Sequence, residues 1–111
     1  MDAFFVNADT PWEELGGGVR RKIMPYTDEL MAVYVEFDKG AVGTIHSHDV
    51  HTQIAYISAG SFEVTVGDKK KTLHAGDTYL AVKNVPHGAV ALEDKSVILD
   101  LFTPKRDDFV K

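Results

Sequence analysis

From Val19 to Phe102 the chain alternates short runs of β-branched and aromatic residues with clusters of turn formers. The runs read VRRKIM, LMAVYVEF, VGTIH, QIAYIS, SFEVTV, KTLH, TYLAV, GAVAL and SVILDLF; the clusters include Asp38-Lys39-Gly40, Ala59-Gly60, Gly67-Asp68, Ala75-Gly76-Asp77 and Glu93-Asp94. Turn signals at intervals of about ten residues are the spacing of an all-β sandwich or barrel. No segment with a helical period competes with that reading. LMAVYVEF and VILDLF are apolar on both faces of a strand, so one face lines an interior and the other needs cover from more protein. A small barrel has a single interior to fill, which predicts a homodimer, with Phe4 and Phe5 near its interface.

Ahead of the strands, Thr10-Pro11-Trp12-Glu13 has a cap residue, a proline at the first helical position and a glutamate three residues after the cap. That pattern predicts one or two helical turns over residues 11–15. Gly16-Gly17-Gly18 lacks the strand, lysine and Ser/Thr that a phosphate-binding loop needs, and reads as a flexible connection.

A chain of 111 residues builds one domain, residues 1–111, with one core. It has no cysteine, which removes disulfides and thiolate chemistry together and leaves nitrogen and oxygen as the available metal ligands. The opening MDAFFVNADT has no basic region and only a short apolar run, so neither a signal peptide nor a membrane span is expected, and the protein reads as soluble and cytoplasmic. A net charge of −5 without a basic block argues against a nucleic-acid partner.

The candidate chemistry lies in GAVGTIHSHDVHTQIAYISAG, residues 40–60, and in VPHGAV downstream. In an extended strand, side chains two apart share a face, so His46 and His48 should point the same way. Gln53 on the next strand and His87 supply two further arms. A lone histidine is more often structural than a ligand, and a His-x-His pair alone is a weak sign. Three imidazoles and an amide oxygen suit one divalent transition metal, with nickel, zinc, iron and manganese all compatible. His51 reads as a loop residue with a minor supporting role beside the ligands, and His74 as exposed.

The joint spacing of Gly40, His46, His48, Gln53 and Gly60, followed by Gly76-Asp77 and Pro86-His87, resembles the two motifs of the cupin family. The resemblance implies a single-domain double-stranded β-helix, or jelly-roll barrel, with His46, His48, Gln53 and His87 on a metal. Gln53 stands where the broad family has glutamate, and Val82 and Asn84 stand where it has proline and glycine. An amide leaves the ion's double charge uncompensated, which makes the site a stronger Lewis acid towards an anion.

In the strand SVILDLF, Ile98, Asp100 and Phe102 share a face, which sets an ionisable group inside an apolar run. Buried acids that persist are paired or functional, and composition alone favours neither. The stretches FFVNADTPWEELGGGVRRKI, LMAVYVEFDKGAVGTIHSH, VPHGAVALED and LDLFTPKRDDF are similar to the small cupins of pectin degradation. That likeness implies a small-molecule uronate substrate: ring opening and ketonisation of 4,5-unsaturated monouronates to linear 5-keto-4-deoxyuronates, with no redox step. It further implies that Asp100, Phe102 and Arg106 line the pocket. The chemistry then suits Asp100 to relay a proton and Arg106 to bind the carboxylate, both at the barrel mouth opposite the metal, with Phe102 as an apolar wall for the sugar and Gln53 also meeting the substrate. A cupin-type metal-dependent dioxygenase and a sugar-sensing module without turnover stand as alternatives.

Overall fold

The computed structural model describes residues 2–110. Its strands are β1 (Glu13–Gly16), β2 (Val19–Tyr26), β3 (Met31–Phe37), β4 (Val42–His46), β5 (Thr52–Ala59), β6 (Ser61–Val66), β7 (Lys69–His74), β8 (Thr78–Ala81), β9 (His87–Ala91) and β10 (Ser96–Thr103). They form two antiparallel sheets, ordered β1-β2-β3-β10-β5-β8 and β4-β9-β6-β7, facing each other as a barrel. All nine predicted runs are strands, with ends that move by at most two residues. Among the described residues no helix is long and apolar enough to cross a membrane.

The helix expected over residues 11–15 is absent, and β1 takes its place. Thr10 Oγ1 donates backwards to the Val6 carbonyl at 3.0 Å instead of capping forwards, and a single 3-10 turn lies earlier, at Asn7–Asp9. Cross-strand partners explain the outcome. Glu13 opposes and pairs with Arg21, Glu14 opposes and pairs with Arg20, and Trp12 stacks on Tyr34 with ring centroids 5.7 Å apart. One isolated helical turn carries the cost of nucleation and offers no such contacts. The three glycines form the β1–β2 hairpin turn, with φ of 87°, 63° and 82°, a region that costs glycine nothing.

Register sets what faces inward. Across β3, β10 and β5, Val33 opposes Asp100, which opposes Ala55; Met31 opposes Phe102, which opposes Gln53. On β8, Tyr79 opposes Ala55 and Ala81 opposes Gln53. The inner face is therefore layered, with Phe102, Gln53 and Ala81 in one layer and Asp100, Ala55 and Tyr79 in the next. Below them Ile57 and Ile98 join Phe37, Phe62, Val64, Ala89 and Ala91 in the main core. A second cluster of Met31, Val33 and Phe102 is covered by Phe109 and Val110 from the C-terminal segment. The core fills one end of the barrel, and the histidines ring the other.

Gly60 is the corner at which the chain leaves β5 in one sheet and enters β6 in the other. Its φ is +72°, and a Cβ there would lie 2.1 Å from Ser96 Oγ and 2.9 Å from Ser96 Cα. Gly40, also in the left-handed region at φ +82°, has open space around the same position. Gly40→Ala should thus cost about 1–2 kcal/mol from backbone strain alone, whereas Gly60→Ala should cost about 3 kcal/mol or more because the backbone must also move. Chemical denaturation of the two variants checks this; equal losses would contradict the clash at Ser96.

Candidate metal centre

His87 opens β9 and is 1% exposed. Its neighbour across the ladder is His46, an alignment that depends on a bulge: Gly43 opposes Ala89, yet three residues later His46 opposes His87, only two residues back along β9. The extra residue in β4 changes its parity and sets His46 beside His87, with its ring still exposed at the rim. Gly88 lets the bulge approach, since a Cβ there would meet Gly43 O at 2.8 Å. β4 ends at His46, so His48 is not on the same strand as expected but on the loop that follows. That loop is held by Asn84, whose backbone N–H donates to the His48 carbonyl at 2.6 Å. Asn84 has φ 67°, a conformation asparagine tolerates, which explains how it stands where the family pattern has glycine.

The three rings converge, with centroids 4.8 Å (His46–His48), 4.5 Å (His46–His87) and 5.1 Å (His48–His87) apart. Their potential ligating nitrogens all lie within 4.8 Å of one another. The backbone selects the tautomers. His46 Nδ1–H donates to Thr44 O at 2.7 Å and His87 Nδ1–H to Val85 O at 3.0 Å, which leaves each Nε2 as a lone pair. His48 Nε2 is buried and has no hydrogen-bond partner. Burial pushes His48 down to about 4, helped by the charge of Arg106 and the neighbouring histidines. Burial likewise lowers His87, against its backbone hydrogen bond. Both rings are thus neutral donors near pH 7, the form in which imidazole binds a metal.

Gln53, 4% exposed, completes the set. Its Oε1 lies 3.1 Å from His87 Nε2, while its Nε2–H donates to Asp100 Oδ1 at 2.7 Å. The carboxylate therefore orients the amide and turns its oxygen towards the imidazoles. With His87 donating through Nδ1, the amide oxygen and the ring Nε2 face each other as lone pairs, which a cation between them would satisfy. Together with the orphaned nitrogen of His48, this donor set fits a divalent transition metal held by His46, His48, His87 and Gln53.

Asp100 lies one layer deeper than Gln53, not at the mouth opposite the metal. Burial pushes its carboxyl up to about 7, with the Gln53 hydrogen bond and the Arg106 charge acting in the other direction. Tyr79 shares its layer across Ala55, with its ring 6.4 Å from that of His87; burial, and then Asp100, raise its phenol. Sequence reasoning passed over Tyr79, although alternation in TYLA puts it on the inner face with Ala81. Phe102 is 3% exposed and stands edge-on to His48 at 6.0 Å, so it supports that imidazole more than it presents an open wall. His51 Nε2–H donates to Lys105 O at 3.0 Å and its ring lies 5.7 Å from that of His48, at the rim of the cluster. His74 is exposed and distant in the fold, at the end of β7.

Arg106 comes from the C-terminal segment that crosses the mouth. Its guanidinium sits 5.2 Å from the Phe102 ring centre and 4.2 Å from that of Phe109. Lys105 ties the same segment to the β2–β3 loop, through its backbone N–H to Asp28 O at 3.2 Å and its ammonium to the Asp28 carboxylate at 3.3 Å.

Residues 33–103 match the family model described as Cupin domain. The chain is 56% identical over 110 residues, 99% of this chain and 100% of the relative, to the pectin degradation protein KdgF of Dickeya dadantii (strain 3937). Among solved structures, KdgF from Halomonas sp. superposes with a TM-score of 0.96 at 46% identity, covering 99% of this chain and 100% of that one. An RmlC-like cupin from Shewanella frigidimarina NCIMB 400 does so with a TM-score of 0.93 at 40% identity, over 99% and 97% of the two chains. With its two-sheet barrel, its histidine cluster and these relatives, the chain belongs to the cupin family.

Proposed function

We propose that this cupin acts in pectin breakdown as a metal-dependent enzyme that opens 4,5-unsaturated monouronates and ketonises them to linear 5-keto-4-deoxyuronates. The observation that carries the reading is the convergence of His46, His48, His87 and Gln53 oxygen beside a cation, Arg106, and a carboxyl group, Asp100, in a chain 56% identical to a protein named for pectin degradation. A divalent ion held by those four side chains would supply Lewis acidity towards the substrate carboxylate and an adjacent oxygen. The neutral amide of Gln53, in place of a carboxylate, favours an anionic substrate there.

The reaction moves one proton and breaks one ring bond. The anomeric hydroxyl loses its proton, C1 becomes an aldehyde as its bond to the ring oxygen breaks, and the released enolate takes a proton at C4 to become the 5-ketone. Asp100 is suited to accept the first proton and return it, because burial brings its carboxyl to about 7, where both protonation states are populated. Arg106 anchors the carboxylate end, and Phe102 fixes the position of His48. The outer face of the larger sheet supports pairing with a second copy. Its rows Ala32, Leu101, Ile54, Leu80 and Tyr34, Leu99, Tyr56 are apolar, with Ile54 and Leu80 left 44% and 52% exposed. A cavity of about 350 Å³ lined by Pro25, Tyr26, Leu30, Ala32 and Leu101 indents that face.

Protein purified without a tag or added metal should carry about one divalent transition metal per chain by elemental analysis. His48→Ala and His87→Ala should each strip most of it; full occupancy in both would refute the ligand set. Gln53→Glu should retain metal but weaken carboxylate binding, because a negative charge is added beside the anion.

Incubation with an unsaturated galacturonate should bleach the conjugated double bond, and should do so equally without oxygen. A requirement for oxygen would point to a dioxygenase, and no bleaching at all to a binding module. Asp100→Asn should reduce turnover by about a hundredfold or more with metal retained; loss of metal in that variant would assign Asp100 to the support of Gln53 alone. Light scattering at micromolar protein should give a dimer, and a monomer would leave the apolar face unexplained.

A further inference from the structure

The guanidinium of Arg106 is hydrogen-bonded along one edge only. Nε–H and Nη2–H donate to the two carboxylate oxygens of Asp108 at 2.9 and 2.7 Å. The pair is asymmetric in solvent: the Arg106 side chain is 16% exposed, that of Asp108 52%. Asp108 thus holds the arginine from the solvent side. Phe109 carries two guanidinium groups over its ring, Arg106 at 4.2 Å and Arg21 at 4.1 Å, and Arg21 is in turn paired with Glu13. Its edge meets Phe102 at 5.9 Å, which links the stack to the wall behind His48.

This leaves the Nη1 amino group with no hydrogen-bond partner among the described residues. A half-buried guanidinium with unused donors is a receptor for a planar anion. Its charge disfavours protonation of His48 and His87 and favours the ionised form of Asp100, so it is felt across the histidine cluster.

We propose that Asp108 and Phe109 are positioning residues, which hold Arg106 so that its Nη1 end is presented to the carboxylate of the substrate over the metal centre. The inference rests on the reading of Arg106 as the carboxylate anchor. Fixing a long, flexible cation before the anion arrives removes the entropy of ordering it from the cost of binding. Asp108 does so from the edge the substrate does not use, and the Phe109 ring sets the plane. The alternative arrangement, in which Asp108 is a competing anion to be displaced, predicts the opposite sign in the test.

Steady-state kinetics on unsaturated galacturonate with the metal-containing full chain measure this. Asp108→Asn should raise KM by about tenfold with kcat within about threefold, because one amide oxygen cannot hold both donors. Asp108→Glu should restore KM to within about threefold, and Phe109→Leu should raise it by about threefold through loss of the ring contact. In an Arg106→Gln background, Asp108→Asn should add nothing. An unchanged or lowered KM in Asp108→Asn, or an equal effect in both backgrounds, would overturn the assignment. Calorimetric titration with saturated galacturonate repeats the comparison without turnover. A wild type that turns nothing over yet loses affinity on Asp108→Asn would sink the proposed reaction and keep the clamp; normal turnover with equal KM would do the reverse. No binding of either sugar would sink both.

Discussion

Lone pairs that face one another across a few ångströms repel, yet this molecule holds those of Gln53 Oε1 and His87 Nε2 3.1 Å apart, with two further imidazoles gathered around them. Carbonyl oxygens of Thr44 and Val85 take the Nδ1 protons of His46 and His87, His48 Nε2 is buried without a partner, and the Gln53 oxygen faces the same space. A buried polar atom without a partner, as His48 Nε2 is here, costs about 1–3 kcal/mol, whereas His46 stands exposed at the rim within reach of solvent. The barrel bears that cost because its packed end, around Phe37, Phe62 and Ile57, holds the sheets in place independently of the cluster. Such stored cost at a few polar atoms is a common mark of a binding site.

The charges near the cluster are graded by depth. Arg106 lies at the mouth, fixed between aromatic rings. Gln53, neutral, lies at the level of the imidazoles, and Asp100 lies beneath it, where burial competes with the Gln53 hydrogen bond and the distant arginine. A carboxyl group in that position can serve two ends at once. It aims the amide oxygen, and it remains able to change protonation near neutral pH. Ala55, fully buried in the main core, lies between Asp100 and Tyr79 in the same layer.

The C-terminal segment does as much as the sheets to shape the mouth. Lys105 binds it to Asp28, His51 donates to its backbone, and Phe109 seals the second core cluster while stacking on two arginines. Packing and site geometry are therefore the same contacts. Phe102 shows this most directly, because its ring is core to Met31 and Val33, support to His48, and a face for Arg106.

Alternation and turn spacing were sufficient to read nine of the strands, since a period of two and a turn former are local properties of the chain. Histidine, glutamine and glycine spacing likewise marked His46, His48, Gln53 and His87, because a recurring pair of motifs reports a recurring pair of strands. What escaped was decided by partners distant in sequence. Thr10-Pro11-Trp12-Glu13 has the local form of a helix start, yet Arg20, Arg21 and Tyr34 claim its side chains and make it a strand. Local parity alone would set residue 45, not His46, opposite His87, and only the β4 bulge against Gly88 corrects it. Asp100 read as a charge in an apolar run, but its depth below Gln53 depends on the register of β10 against β5, which pairs residues nearly fifty positions apart. The sequence by itself thus determined which side chains this barrel owns; the tertiary structure decided which of them meet, because register, bulge and loop closure are set by contacts no local pattern encodes.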